Sequence, residues 1–273
     1  MKVQVLSSTD MKVRFVVEGV NHAFVNAIRR ALLSEVPKLA FEDVTIYDNT
    51  SALFDEMLAH RVGLVPVKTD LGAIVPRDAC DACNGEGCPN CTVIYTLSKE
   101  GPCTVYSGDM TPADPKLEMP DKRIPLVKLL EGQRVMLEAA AILGTPNEHA
   151  KWQCVTCAAY REYPVINFRS NAPLPPGTAQ KLAQLAPKGS IEIRDGRIHV
   201  VDQEKAWDFL WSARDMYDLD GVELTTDPRR FIFTVETDGS LTPSEAVEFV
   251  LDTLSGKLEE IENEVTTLKV PAA

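Results

Sequence analysis

No run of the roughly 18 apolar residues that a membrane-spanning helix requires occurs anywhere in the chain. Its first residues, MKVQVLSS, hold no apolar signal core followed by a small-residue cleavage site. A soluble, cytoplasmic protein without a membrane partner is expected. Positive charge is also scarce: 28 Lys and Arg stand against 40 Asp and Glu, a formal net charge of -12. Nucleic-acid surfaces are built mainly from clustered Lys and Arg, so no direct sequence-specific nucleic-acid binding is expected. The chain lacks a nucleophile motif, a phosphate-binding glycine loop and a paired metal-carboxylate pattern, and no catalytic residue is assigned. Asp55, Glu56 and His60, and separately Glu148, His149 and Lys151, are polar groupings without such a motif. They read as groups that fix loops or contact another protein.

What is present begins with NHAFVNAIRRALLSEVPKLA, from Asn21 to Ala40. Asn21 is a suitable N-cap and Pro37 bounds the other end, which predicts a helix of about four turns. Phe24, Ile28, Ala31, Leu32 and Val36 recur at three- and four-residue steps and form one apolar face. Arg29 and Arg30 leave that face. Two strands, Lys2 to Leu6 and Met11 to Val17, are predicted before this helix from their alternation. After Pro37 the chain becomes mixed and strand-rich through DEMLAHRVGLVPV (Asp55 to Val67) and Thr92 to Leu97, while Gly101 to Pro125 reads mostly as loop. Beyond Tyr163, a helix from Thr178 to Leu185, a hairpin turning at Asp195 and Gly196, and a helix around Lys205 to Met216 that buries Trp207, Leu210 and Trp211 suggest a small insert of about sixty residues.

The end of the chain is its most periodic part. Thr242, Pro243 and Glu245 form a capping signature. Val247, Leu251, Leu254, Leu258, Ile261, Val265 and Leu268 then follow at alternating steps of 4 and 3, a heptad seam. Such a seam needs another helix, either the Asn21 to Val36 helix of the same chain or a helix of a partner.

Four of the seven cysteines sit in CDACNGEGCPNC, from Cys80 to Cys91. The spacing C-x2-C-x4-C-x2-C allows Cys80, Cys83, Cys88 and Cys91 to surround one tetrahedral zinc ion, with Gly85 and Gly87 permitting the reversal between the pairs. Zinc is favoured over a [4Fe-4S] cluster, whose usual runs place the ligands differently, and over free thiols. Cys154 and Cys157 make a lone C-x2-C, and Cys103 stands apart; no metal is assigned to them.

Taken together, NHAFVNAIRRALLSEVPKLAFEDVTI, DEMLAHRVGLVPV and GTPNEHAKWQ resemble the family of archaeal D-type RNA polymerase subunits, relatives of the third-largest eukaryotic RNA polymerase II subunit and of the bacterial alpha N-terminal domain. The resemblance covers nearly the whole chain and implies an α+β fold. An alpha-type dimerisation domain built from residues 1–40 and 222–273 would be split by a strand-rich insert domain over 41–160 holding the metal loop. A small ferredoxin-like α+β domain would occupy 161–221. Family members of this kind assemble with subunit L, and with subunits N and P form a platform for the two large catalytic subunits. By resemblance, Phe24, Ile28 and Leu32 with the C-terminal seam belong to the partner interface, and Arg29 and Arg30 to docking of a large subunit. Many members carry iron-sulfur clusters in the ferredoxin-like domain; here residues 164–220 contain no cysteine, so such a cluster is not expected there. The function implied is that of a non-catalytic assembly subunit in transcription. An iron-sulfur or thiol redox-sensing protein is the alternative.

Overall fold

A computed structural model describes residues 1–168, 176–217 and 222–267. In chain order the elements are β1 (Lys2–Ser8), β2 (Lys12–Glu18), α1 (His22–Ser34), β3 (Lys38–Asn49), α2 (Asp55–Gly63), β4 (Thr92–Glu100), β5 (Cys103–Tyr106), β6 (Thr111–Pro112), β7 (Pro125–Leu129), β8 (Arg134–Gly144), β9 (Val155–Phe168), α3 (Pro176–Leu185), β10 (Ile191–Arg194), β11 (Arg197–Val200), α4 (Gln203–Tyr217), β12 (Val222–Thr237) and α5 (Pro243–Thr267). The fold is mixed α and β. Two four-stranded sheets run in the orders β1-β2-β12-β9 and β3-β8-β4-β6, and β5-β7 and β10-β11 form two-stranded ribbons.

The chain divides into two compact units. One contains residues 1–5, 15–25 and 160–233. Its core gathers Ile166, Leu182, Ile191, Ile198, Leu210 and Val222. The β10-β11 hairpin turns at Asp195 and Gly196 as their sequence predicts, both with positive φ, 53° and 71°. Positive φ at both central residues is what a tight two-residue hairpin turn requires. Leu210 is fully buried, but Trp211, expected inside, is 56% exposed. Position 211 lies one residue beyond the inward-facing Leu210, so helical geometry turns it about 100° away. It stacks instead on Trp207, with ring centroids 5.0 Å apart.

The other unit contains residues 6–14, 26–159 and 234–273, of which those from 268 onward lie outside the described residues. Its core lies over β3, β4 and β8, an antiparallel set. Every second residue of β8 from Val135 to Leu143 is buried, the period of a strand with one face inward. Tyr95 is fully buried; its ring meets Phe41 edge-on at 5.0 Å and its hydroxyl donates to the Leu117 carbonyl at 2.6 Å. The segment 101–125 is mostly loop and short turns, as expected, but it also carries short strands. It contains β5 and β6, and β5 pairs with β7 from Cys103↔Leu129 to Tyr106↔Pro125. Strands of two to five residues carry too few alternations to announce themselves; their pairing is decided by partners elsewhere in the chain.

One buried ion pair ties distant segments of this unit. Lys38, 4% exposed, donates to Asp238 at 2.5 Å and to the Gln153 carbonyl at 3.3 Å. The Asp238 N–H donates to the Cys154 carbonyl, and Ser240 donates through its N–H to Asp238. These bonds satisfy charges that would otherwise be costly to bury.

Candidate metal centre and exposed helix seam

A short 3-10 turn, Arg77–Ala79, delivers the chain to Cys80, and β4 begins directly after Cys91. The first and last cysteines are thereby held by the body of the fold: Cys80 is 4% exposed and Cys91 fully buried. Cys83 and Cys88 are half-buried. Between them the loop reverses through Asn84, Gly85 and Gly87, with φ of 48°, 88° and 103°. Only glycine adopts the last two angles without cost. Backbone N–H groups of Asn84 and Thr92 donate to the carbonyls of Cys80 and Cys88, folding each C-x2-C pair into a turn.

The four Sγ atoms lie within 4.8 Å of one another, and among the described residues these cysteines form the one group of three or more His, Cys, Asp or Glu placed to hold a metal ion. Cys80 and Cys88 Sγ are 3.6 Å apart, Cys83 and Cys91 3.5 Å, and Cys88 and Cys91 3.9 Å. A tetrahedron of thiolates about 2.3 Å from one ion has edges of about 3.8 Å, so the donor set fits a single ion of that kind. The Gly87 N–H donates to Cys83 Sγ and the Cys88 N–H to Cys91 Sγ, both at 3.3 Å. The Gly87 N–H holds the Cys83 thiol down to about 7, whereas burial pushes Cys80 up to about 12. Four thiols this close cannot all ionise unless a cation joins them.

The lone C-x2-C does not converge in this way. Cys154 is fully buried just before β9 and Cys157 lies half-buried within it. Burial, followed by the nearby Asp238 charge, pushes the Cys154 thiol up to about 12. Cys103 donates its thiol to the Glu100 carbonyl at 3.5 Å.

Helix α5 starts as its sequence predicts. The Thr242 N–H donates to the Glu245 carboxylate at 2.8 Å and the Glu245 N–H donates to the Thr242 hydroxyl at 3.3 Å. Pro243, Ala246 and Val250 are buried against the fold. The heptad positions are less covered. Val247 and Leu254 are half-buried, while Leu251, Leu258, Ile261 and Val265 are 44%, 67%, 59% and 60% exposed. Leu268 lies outside the described residues. Lys257 pairs with Glu35 at 2.7 Å, beside the end of α1.

In α1, Asn21 caps the helix by accepting from the Phe24 N–H at 3.0 Å. Phe24 is 39% exposed, but Ile28 and Leu32 are buried within the chain itself. Arg29 donates twice to Asn26 Oδ1, at 3.1 and 2.9 Å, and Arg30 is exposed. The two polar groupings serve their loops. Asp55 accepts from Asn49, Glu148 from the Thr145 N–H and His149 Nδ1 from the Lys151 N–H, while Lys151 pairs with Glu42 and donates to the Phe41 carbonyl. His60 and His149, 89 positions apart, line one open cavity of about 290 Å³.

These features define a mixed α and β protein with a thiolate site suited to a structural ion and a long helix whose apolar seam faces outward. The family model described as the RNA polymerase Rpb3/Rpb11 dimerisation domain matches residues 14–258, and the chain belongs to that family. The DNA-directed RNA polymerase subunit Rpo3 of Methanosarcina acetivorans is 37% identical to it over 262 residues, covering 96% of this chain and 97% of the relative. Rpo3 of Thermoplasma volcanium is 39% identical over 267 residues, 93% of this chain and 95% of the relative. Rpo3 of Archaeoglobus fulgidus is 35% identical over 260 residues, with 95% and 96% covered. The polymerase-family resemblance read from the sequence motifs is thus borne out; Arg77 and Thr92, which flank the cysteine loop, were not singled out by that reading.

Proposed function

We propose that this chain is a non-catalytic assembly subunit of a DNA-directed RNA polymerase, of the archaeal D type, that pairs with a second chain through α5. The observation that carries this reading is the outward seam. Leu251, Leu258, Ile261 and Val265 repeat at heptad spacing on a helix whose first turns are anchored in the fold by Pro243, Ala246 and Val250. Soluble proteins do not ordinarily leave such a stripe in water, because each buried aliphatic side chain contributes about 1.5–3 kcal/mol. The dimerisation description of the family and the polymerase names of the relatives support the same partner class.

The partner in this reading is subunit L. The pair, with subunits N and P, forms the platform on which the large catalytic subunits assemble in the cytoplasm, with Arg29 and Arg30 presented to a large subunit. Ile28 and Leu32 contribute from beneath, by fixing α1 in the chain's own core, while Phe24 reaches the surface. The dimerisation domain comprises 1–40 and 222–273, the insert 41–160 and the small ferredoxin-like domain 161–221. Zinc occupies Cys80, Cys83, Cys88 and Cys91 as a structural ion that closes the loop and takes no part in nucleotidyl transfer.

The test uses exposed positions, so that the chain's own fold is not disturbed. The double variant Leu258→Glu, Ile261→Glu places two charges in the seam and abolishes co-purification with subunit L. Recovery of the complex in full yield would sink the proposal.

A further inference from the structure

Arg77 immediately precedes the first cysteine turn, and in the stretch 77–91 it is the only Lys or Arg, beside Asp78, Asp81 and Glu86. Its Nη2 donates to the Thr92 hydroxyl at 3.3 Å. The same hydroxyl lies 3.7 Å from Cys91 Sγ. The cysteine loop folds back over this pair: a Cβ added at Gly87 would come 3.4 Å from Arg77 Nη2 and 3.4 Å from Thr92 Oγ1. One carboxylate, Asp43, approaches the guanidinium at 3.7 Å, but it is 66% exposed and its charge is screened by water. Arg77 Nε is buried without a hydrogen-bond partner.

Four thiolates around one divalent ion carry two net negative charges. The Gly87 and Cys88 N–H groups offset part of that charge, each donating to a sulfur. Thr92 adds a third donor with a defined direction. Its oxygen accepts from Arg77, which leaves the hydroxyl proton for another acceptor, and a metal-bound thiolate has no proton of its own to offer. The order of donation therefore runs from guanidinium to hydroxyl to sulfur.

We infer that Arg77, acting through the Thr92 hydroxyl on the Cys91 sulfur, is a positioning residue that balances the charge of the tetrathiolate metal site. This rests on the zinc reading above and names the residues outside the ligand set that tune the ion's affinity. Such outer partners typically contribute 10- to 100-fold in metal affinity.

The experiment titrates Zn2+-loaded full-length chain with a chromogenic chelator, and records the absorption spectrum of the Co2+-substituted protein. Arg77→Gln and Thr92→Val each lower zinc affinity about 10- to 100-fold. Thr92→Ser, which keeps the hydroxyl, retains the parent affinity. The double variant Arg77→Gln, Thr92→Val is no weaker than the worse single variant, because both act along one path. In Co2+ protein, losing the hydrogen bond raises the energy of the sulfur electrons, so the thiolate-to-cobalt band moves to longer wavelength in both single variants; a merely packing role moves no band. Wild-type affinity with an unshifted band in Thr92→Val, or additive losses in the double variant, would overturn the relay while leaving the zinc site standing. Failure of the unmodified chain to hold stoichiometric zinc would overturn both. Should Arg77→Gln not fold, Thr92→Val against Thr92→Ser decides alone, since valine is at home in a strand.

Discussion

The chain writes C-x2-C three times, and the copies do different things. At Cys80–Cys83 and Cys88–Cys91 the intervening backbone turns, so the paired sulfurs point into one volume and the two pairs close on each other at 3.5 and 3.6 Å. At Cys154–Cys157 the backbone runs out into β9 instead. Residues three apart in an extended strand face opposite ways, so the same spelling keeps the two thiols apart. Metal-ligand spacing is thus informative only when the residues between the ligands can turn. In the loop copies they are Asp81 and Ala82, and Pro89 and Asn90, whose turns are closed by the Asn84 and Thr92 N–H groups on the Cys80 and Cys88 carbonyls; in the third copy they are Val155 and Thr156, which favour strand.

The largest expected consequence of that contrast concerns the metal. Binding of a structural zinc ion in small domains is worth on the order of 10 kcal/mol, and this loop has little apolar core of its own to replace it. Removing the ion with a strong chelator, or replacing Cys80 with Ser, is expected to open residues 80–91 to proteolysis while the β3-β8-β4 sheet stays protected. A loop that remained resistant to protease after chelation would show that its backbone turns suffice without the ion.

Next in size is the reactivity of the thiols in the metal-free chain. Cys83 is held down to about 7, first by the Gly87 N–H, so roughly half of it is thiolate at neutral pH, and labelling by iodoacetamide falls as pH drops below that value. Cys154 is pushed up to about 12 by burial and stays protonated across the same range. Mass spectrometry of a time course at pH 7 is therefore expected to find Cys83 alkylated early and Cys154 unmodified. Equal rates at the two would contradict the contrast, and rapid reaction of Cys154 would revive a redox role for that pair.

What was legible in the sequence is what short-range chemistry decides. The Asn21 cap, the Thr242–Glu245 capping box, the Asp195–Gly196 turn and the cysteine spacing each depend on residues within a few positions of one another, and each stands as read. The heptad periodicity was equally visible, but not how far along α5 the chain's own fold would cover it. Only the first turns are covered, at Pro243, Ala246 and Val250, and the turns beyond them leave Leu258 and Ile261 in water. The pairing of β5 with β7 was hidden for the same reason, its partners being more than twenty residues apart at Cys103 and Leu129. Arg77 did leave a trace, as the one cation in an acidic, thiol-rich stretch, yet its link to Cys91 runs through a hydroxyl that only the folded loop brings near.

The smallest expected effect tests the quiet half of the comparison. Cys154 is fully buried beside the Lys38–Asp238 pair, and its carbonyl, not its thiol, accepts from the Asp238 N–H at 2.9 Å. Replacing it with Ala removes one buried sulfur and leaves that backbone bond intact. The expected cost is about 1 kcal/mol, from lost packing alone. Urea unfolding of the Cys154→Ala chain should show that modest shift in midpoint with an unchanged slope, and its zinc content should equal that of the parent. Cys157→Ala, at a half-buried strand position, should shift the midpoint less. A drop in zinc content in either variant would mean that the second C-x2-C reaches the metal after all, and that turning backbone is not what separates the two uses of the motif.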